Sequence, residues 1–433
     1  MHLIWENVMK NLMNLWSGHY KDLDEGSESY QFPSAIWDEI GCSSAASGDF
    51  IPFIFGPRPP NVASDKMSWT AELRSLWTLY VAPVVLRGRF SRPKYYEHFI
   101  ELVRLIKLCL QFELMEDEID SIKSGFVKWV RDYETIYYQN DPQRLSACPL
   151  TIHALLHIAD SIRFAGPVWA SWAFPMERYC GSLVPAIKNR RYPYASLDRH
   201  VLDKARLTHI KLMYGIGNQL TFRPEAAESQ NTIFVPSYDS CVLLPARRPL
   251  TPSRGLREKI VGCLATRYTA TPAAVRTALP ATVQEWAKVR ILNGGDTVRS
   301  SSLDTAGDDG CNASYVRYEL LVDQNARYRG RPVILEKRTF YGELQHILLV
   351  DIGPIPSATP PLPQGETLLL AVIQTCSIES SDARLDIHFY KRLGRTEVVD
   401  LTTVQCVVGR VHDRGQYGII DRSGTLSRAL YVE

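Results

Sequence analysis

The sequence predicts a multidomain α+β protein, with a mainly α-helical N-terminal half followed by a small all-β module. Three observations carry this. Apolar residues recur every three or four positions through much of the first 214 residues, the spacing of one helix face. Between about 223 and 312 the composition shifts towards Pro, Arg, Ser, Thr and Ala. After 313 the period changes to two, in short β-branched or aromatic runs bounded by Gly, Pro or Asp, which is the grammar of strands. At 433 residues the chain has room for two or three domains of about 100–200 residues each.

Taken in order, residues 1–16 place Leu3, Ile4, Val8, Leu12, Leu15 and Trp16 at helical spacing. The helix starts at Met1 with no cap, so the chain reads as cut from something longer. Residues 20–67 read as loop-rich, punctuated by Pro33, Pro52, Pro57, Pro59 and Pro60. Helices are predicted over 70–86, 95–112, 116–138, 150–164 and 196–214, the last with Ser196 as N-cap. Residues 223–312 read as a linker with short helices near 254–266 and 271–292. Strands are predicted over 315–321, 367–375, 385–390, 404–411 and 417–420. Such a set makes a small closed barrel or a sandwich.

Charge and cysteine usage narrow the class. The overall net charge is only +2. Its distribution is uneven: −6 for 1–142, +8 for 143–260 and zero for 261–433. A polyanion is therefore expected at the middle block. The nine cysteines are nowhere closer than 22 residues, which excludes CxxC zinc knuckles and fits reduced thiols. No apolar run spans a membrane and the N-terminus lacks signal-peptide grammar. The expected location is nuclear or cytoplasmic. Phosphate loops, GxGxxG and GxSxG are absent, which removes the motif basis for P-loop, Rossmann and α/β-hydrolase readings.

The chemistry-bearing residues concentrate in 150–211. His153 and His157 are four apart, so one helix face carries both. Ala154 stands where a zinc hydrolase would carry its glutamate. The pair reads as helix-packing histidines or as a ligand or active-site pair. Glu177 lies in a run containing Trp169, Trp172, Phe174 and Tyr179. A carboxylate there needs a partner, either an arginine such as Arg178 or a metal. Lys188, Arg190, Arg191, Arg199, Lys204, Arg206 and Lys211 follow. They read as a solvated face or as contacts to a DNA backbone, with Tyr192 and Tyr194 as stacking surfaces.

These residues also carry a family resemblance. Met1-His2-Leu3-Ile4-Trp5-Glu6-Asn7-Val8, with Trp16, Tyr30, Trp37, Ile40 and Gly41, resembles the end of the catalytic core of fungal-type CACTA (En/Spm) transposases. Residues 70–214 resemble the helical domain of unknown function that follows that core. The matching features are Ala71-Glu72, the His153-to-His157 run, Gly166-Pro167 and Phe174-Pro175-Met176-Glu177-Arg178. Tyr341-Gly342, Leu370 to Ile373, Val407 to Val411 and Ile420 to Ser423 are similar to the β-rich C-terminal module of those elements, an SH3- or bromo-adjacent-homology-like barrel. The resemblance implies four segments: a remnant of an RNase H-like core at 1–69, the helical domain at 70–222, a linker at 223–312 and the barrel at 313–433.

Such transposases hold two divalent metals, Mg²⁺ or Mn²⁺, on three acidic residues for in-line attack on a phosphodiester. The family's second Asp falls before Met1, where this sequence has none, and the first lies further upstream. Glu177 is the first choice for the third acid and Glu72 the second, with His2, His153 and His157 nearby. One carboxylate cannot hold two Mg²⁺ against their hydration. The expectation is a truncated, DNA-binding, catalytically inactive protein with no cofactor of its own. Two alternatives stand beside it: a protein- or chromatin-interaction module acting through 313–433, and a metal hydrolase built on His153, His157 and Glu177.

Overall fold

A computed structural model of the chain describes residues 2–21, 23, 29–64, 69–217, 232–292, 295–303, 311–328, 330–359 and 361–422. The end of the expected helical domain (218–222), parts of the expected linker (223–231, 293–294, 304–310), Met1 and the last residues of the expected barrel (423–433) lie outside them.

The first half is helical. Wide turns over His2–Met9 run into α1 (Lys10–Trp16). Trp5, Val8, Met9, Leu12, Leu15 and Trp16 recur along one face and are buried. The expected apolar stripe is thus covered, with Val8 and Leu12 wholly enclosed and Leu3 and Ile4 partly so. Aromatic partners do the covering. Trp16 meets Phe99 and Phe90 edge-on at 5.4 and 5.5 Å and donates its indole N–H to the Tyr137 hydroxyl at 3.0 Å.

The expected loop-rich stretch 20–67 contains a full helix, α2 (Ser34–Ala46), starting directly after Pro33. Proline before a helix start lacks only an N–H that has no intrahelical partner there. Next come α3 (Ala71–Leu76), capped by the Thr70 hydroxyl at 3.2 Å, a wide turn over Trp77–Val81, and α4 (Ala82–Val85). The long pair α5 (Pro93–Cys109) and α6 (Glu116–Tyr133) packs through apolar residues at three- and four-residue intervals. Glu116, Asp117 and Glu118 open α6, where negative charge suits the helix dipole. Then follow α7 (Leu150–Ala154), α8 (Ile158–Ala165), α9 (Val168–Ser171), α10 (Phe174–Leu183) and α11 (Pro193–Tyr214). The last begins at Pro193, so Ser196 is an internal residue and not the N-cap.

The sheet begins earlier than the sequence suggested. β1 (Cys241–Leu250), α12 (Arg254–Arg267), α13 (Pro272–Ala278), β2 (Val283–Ile291) and β3 (Thr297–Arg299) all lie in the expected linker. The predicted helix 271–292 is therefore α13 followed by a strand. The chain continues through β4 (Tyr315–Asp323), β5 (Leu335–Ile352), β6 (Glu366–Asp382), β7 (Ile387–Asp400), β8 (Val404–Val407), β9 (Gly409–Asp413) and β10 (Gln416–Ile420).

All of these strands join one antiparallel sheet, with β1-β2-β5-β6-β7-β10-β9 as its main path. β5 pairs with β4 along its first half and with β2 further on. β8 returns to pair with β4, so the sheet curls into a half-barrel. Buried residues run unbroken from Leu368 to Ile373 because both faces of β6 are covered. Leu368, Leu370 and Val372 meet Ile260 and Leu264 of α12, while Leu369, Ala371 and Ile373 join Trp286 and Tyr318.

The helical half sits on this sheet. Leu385, Ile387, Phe389, Val411 and Ile420 belong to the same core as α1, α5 and α6. All nine cysteines are free thiols. Among the described residues, no helix is long and apolar enough to cross a membrane.

Candidate nucleic-acid interface

The fold brings two of the expected site residues together. His2 Nε2 lies 3.6 Å from Glu177 Oε1, while its Nδ1 bonds the Glu6 carboxylate one turn on. Glu177 stands in the first turn of α10, where a carboxylate is favoured by the helix dipole. Its partner is His2 and not Arg178, and its side chain is half exposed. Glu72 stands on α3 and lines a cleft that also holds Pro175 and Arg178. His153 and His157 are exposed, with their Nε2 atoms 3.1 Å apart, so they partner each other.

These groups do not fit a two-metal centre. Glu6 and Glu177 occupy opposite nitrogens of one imidazole ring, so the ring itself separates their carboxylates. Among the described residues, no cluster of three or more His, Cys, Asp or Glu has the arrangement to hold a metal ion.

The basic residues divide by environment. Lys188, Arg190 and Arg191 lie on the exposed loop before α11, and Asn189 Oδ1 braces that loop by accepting from the Arg191 N–H at 2.9 Å. Arg199 and Arg206 both approach Asp203, at 3.9 and 3.7 Å. Lys204 and Lys211 lie on a different side of the helix, and Lys204 approaches the Tyr179 ring at 5.9 Å. Neither α10 nor α11 contains a buried residue. The sequence of α11 explains this. Tyr194, Leu202, Ile210, Met213 and Tyr214 spread round its circumference, so no single apolar face forms to drive burial.

Sequence reading missed a polar centre in the sheet. Glu285 of β2 is completely buried, and its Oε1 takes Ser302 Oγ and His346 Nδ1 at 2.5 Å each. Arg248 Nε reaches its Oε2 at 2.7 Å. Burial pushes this carboxyl up, but hydrogen bonds from Ser302, His346 and Arg248 outweigh it and hold the group below the ordinary glutamate value. Ser, His and Glu meet here, yet the serine and the carboxylate share one ring nitrogen. A relay needs them on opposite nitrogens, so the cluster anchors the sheet. Its members are scattered through sequence read as linker and barrel, with no local motif to reveal them.

No family model matches the chain, and no curated protein and no solved structure matches it either.

Proposed function

We propose that this is a protein derived from a CACTA-type transposase that binds the DNA backbone through 188–211 and does not itself catalyse strand transfer. The reading takes the curled sheet as the SH3/BAH-like module of that family and the helical half as its core remnant and helical domain. It implies a nuclear or cytoplasmic location. The observation that supports binding most directly is the state of the cations. Lys188, Arg190, Arg191, Lys204 and Lys211 make no ion pair among the described residues, and they stand on an exposed loop and helix. Unpaired cations on a projecting element displace condensed counterions from a duplex. The lack of strand transfer is supported by Glu6 and Glu177 standing on opposite nitrogens of the His2 ring.

Duplex binding measured against salt tests this. If all five cations reach phosphates, log K falls against log salt with a slope of about −4.5. Replacing Lys188, Arg190 and Arg191 by Ala flattens the slope. Absence of duplex binding at low salt overturns the reading.

One observation favours the second reading, a protein or chromatin partner on the β-module. The β4–β5 hairpin exposes Leu321, Val333 and Leu335, each more than half accessible. Nucleosome binding that persists at high salt and is lost when these three become Ser would establish it.

A further inference from the structure

Where α3, α4 and α5 meet the sheet, two clefts share Leu79, Tyr80 and Arg422 in their walls and so adjoin one another. The wider one, about 740 Å³, is aromatic: Trp5, Phe55, Phe112, Trp169, Trp172 and Phe174 line it. The indole N–H of Trp169 donates to the Phe112 carbonyl at 3.0 Å, which fixes the plane of its ring. Trp172 and Phe174 meet edge-on at 5.5 Å, leaving ring faces directed elsewhere. The narrower cleft, about 360 Å³, carries Arg104, Lys107, Arg317 and Arg384 together with Asp386 and Asp421.

The cations along this groove differ in what neutralises them. Arg104 is paired with Glu101, Arg384 with Asp382, and Arg317 with Glu319 and Asp421. Three others have no carboxylate partner among the described residues. Arg178 stands in the wide cleft. Arg422, at the junction, donates to the Ile54 carbonyl and lies 5.3 Å from the Phe55 ring. Lys107, in the narrow cleft, donates to the Leu385 carbonyl at 3.3 Å. The groove thus offers aromatic faces at one end and three cations without a directly bonded carboxylate. Glu72, Asp386 and Asp421 are also in its walls, with Asp386 and Asp421 near Lys107.

We propose that this groove holds a short single-stranded stretch of DNA. One unpaired base lies against Trp169 and Trp172, and the backbone passes Arg178 and Arg422 towards Lys107. Aromatic faces stack on any base, and guanidinium and ammonium groups take the phosphates. A duplex keeps its bases stacked on one another and cannot offer them to a recessed wall. A methylated ammonium would also suit aromatic rings, but in the same walls Arg178 and Arg422 outnumber Glu72, so the balance of charge disfavours a cation. The proposal rests on the DNA reading above only in naming DNA as the polyanion, because the groove shares no residue with 188–211.

The test uses the full chain and fluorescence anisotropy with a labelled oligothymidylate, an abasic strand of equal length and a hairpin duplex. Oligothymidylate binds at low salt, and the abasic strand binds about tenfold more weakly because stacking is lost. Trp172→Ala weakens oligothymidylate binding by about tenfold. Arg178→Met, at an exposed position, also weakens it, and this variant keeps the test valid if Trp172→Ala misfolds. Replacing Lys188, Arg190 and Arg191 by Ala lowers duplex binding and leaves oligothymidylate binding unchanged. Equal affinity for the thymidylate and abasic strands overturns the proposal. So does wild-type binding by Arg178→Met, or binding of a trimethyl-lysine peptide in place of the oligonucleotide. Oligothymidylate binding without duplex binding sinks the basic-block reading alone.

Discussion

Arg89 and Asp413 form an ion pair of 2.6 Å across the junction between the helical half and the sheet, with side chains only 5% and 4% exposed. The second arm of Arg89 reaches Glu39 at 2.7 Å, and Ser43 donates to the same Asp413 oxygen at 3.1 Å. Burying two charges is tolerable because each is paired. Both terminal nitrogens of Arg89 meet carboxylates and Arg414 donates to the second Asp413 oxygen at 2.9 Å, leaving Arg89 Nε without a partner among the described residues. Removing one partner strands the other. Arg89→Met is expected to lower the free energy of urea unfolding by about 3–5 kcal/mol. A loss below about 1 kcal/mol, the range of an exposed pair, would mean that apolar contact alone holds the junction.

The same junction depends on a missing side chain. A Cβ at Gly418 of β10 would come within 2.6 Å of Val84 Cγ2 and 3.3 Å of Phe389 Cε1. Helix α4 therefore approaches the strand backbone more closely than any other residue allows. Gly418→Ala is expected to destabilise by about 1–3 kcal/mol through overpacking. Adding Val84→Ala restores part of the loss. Strict additivity in this double-mutant cycle would show that the two positions do not touch.

These two junction contacts mark the limit of what the sequence discloses. Helices such as α5 and α6 were legible because a repeating apolar face is a local signal. So were β4 and β10, as short alternating runs. β6 was read over 367–375 from its apolar run even though covering both faces erases alternation from Leu368 to Ile373, whereas β5 went unread. α2 hid behind its flanking prolines. The pairing of His2 with Glu177 joins residues brought together only by tertiary packing, although the resemblance had singled out both. The groove was invisible because its walls come from eight separate stretches of chain.

His98 of α5 gives the molecule an acid sensitivity. It is buried, stacks on Trp129 at 4.4 Å, and hydrogen-bonds the Trp129 carbonyl at 3.1 Å, so its proton sits on Nε2. Among the described residues Nδ1 has no hydrogen-bond partner. Burial lowers its pKa from 6.5 to about 4, against smaller opposing effects of the Trp129 carbonyl and Glu101. Between these values the unfolded chain binds a proton that the fold refuses. Stability is therefore full above pH 6.5 and declines as pH falls towards 4. His98→Phe is expected to flatten the urea midpoint over that window. An unchanged slope would assign the sensitivity to other groups.

Glu285 acts in a lower window. Its carboxyl is held below 4.5, so the stability it contributes is present above that value and lost as pH falls through the folded pKa. Glu285→Gln is expected to alter the acid limb only below about pH 4.5, leaving the slope assigned to His98 intact. Changes at higher pH in this variant would place the two groups in one coupled system.

Asp203 restrains the basic helix. It lies within 4 Å of both Arg199 and Arg206 while all three side chains are more than half exposed. Exposed pairs of this kind add little stability, so Asp203→Asn should leave the melting temperature unchanged. Its effect is on charge. Two arginines lose their counter-charge and an anion leaves the face that would meet DNA. Duplex affinity is expected to rise, and the salt slope to steepen by up to about 1.8 if both arginines take phosphates. An unaltered slope would mean that Arg199 and Arg206 face away from the duplex, confining contact to Lys188, Arg190 and Arg191 on the loop and the lysines on the other side of α11.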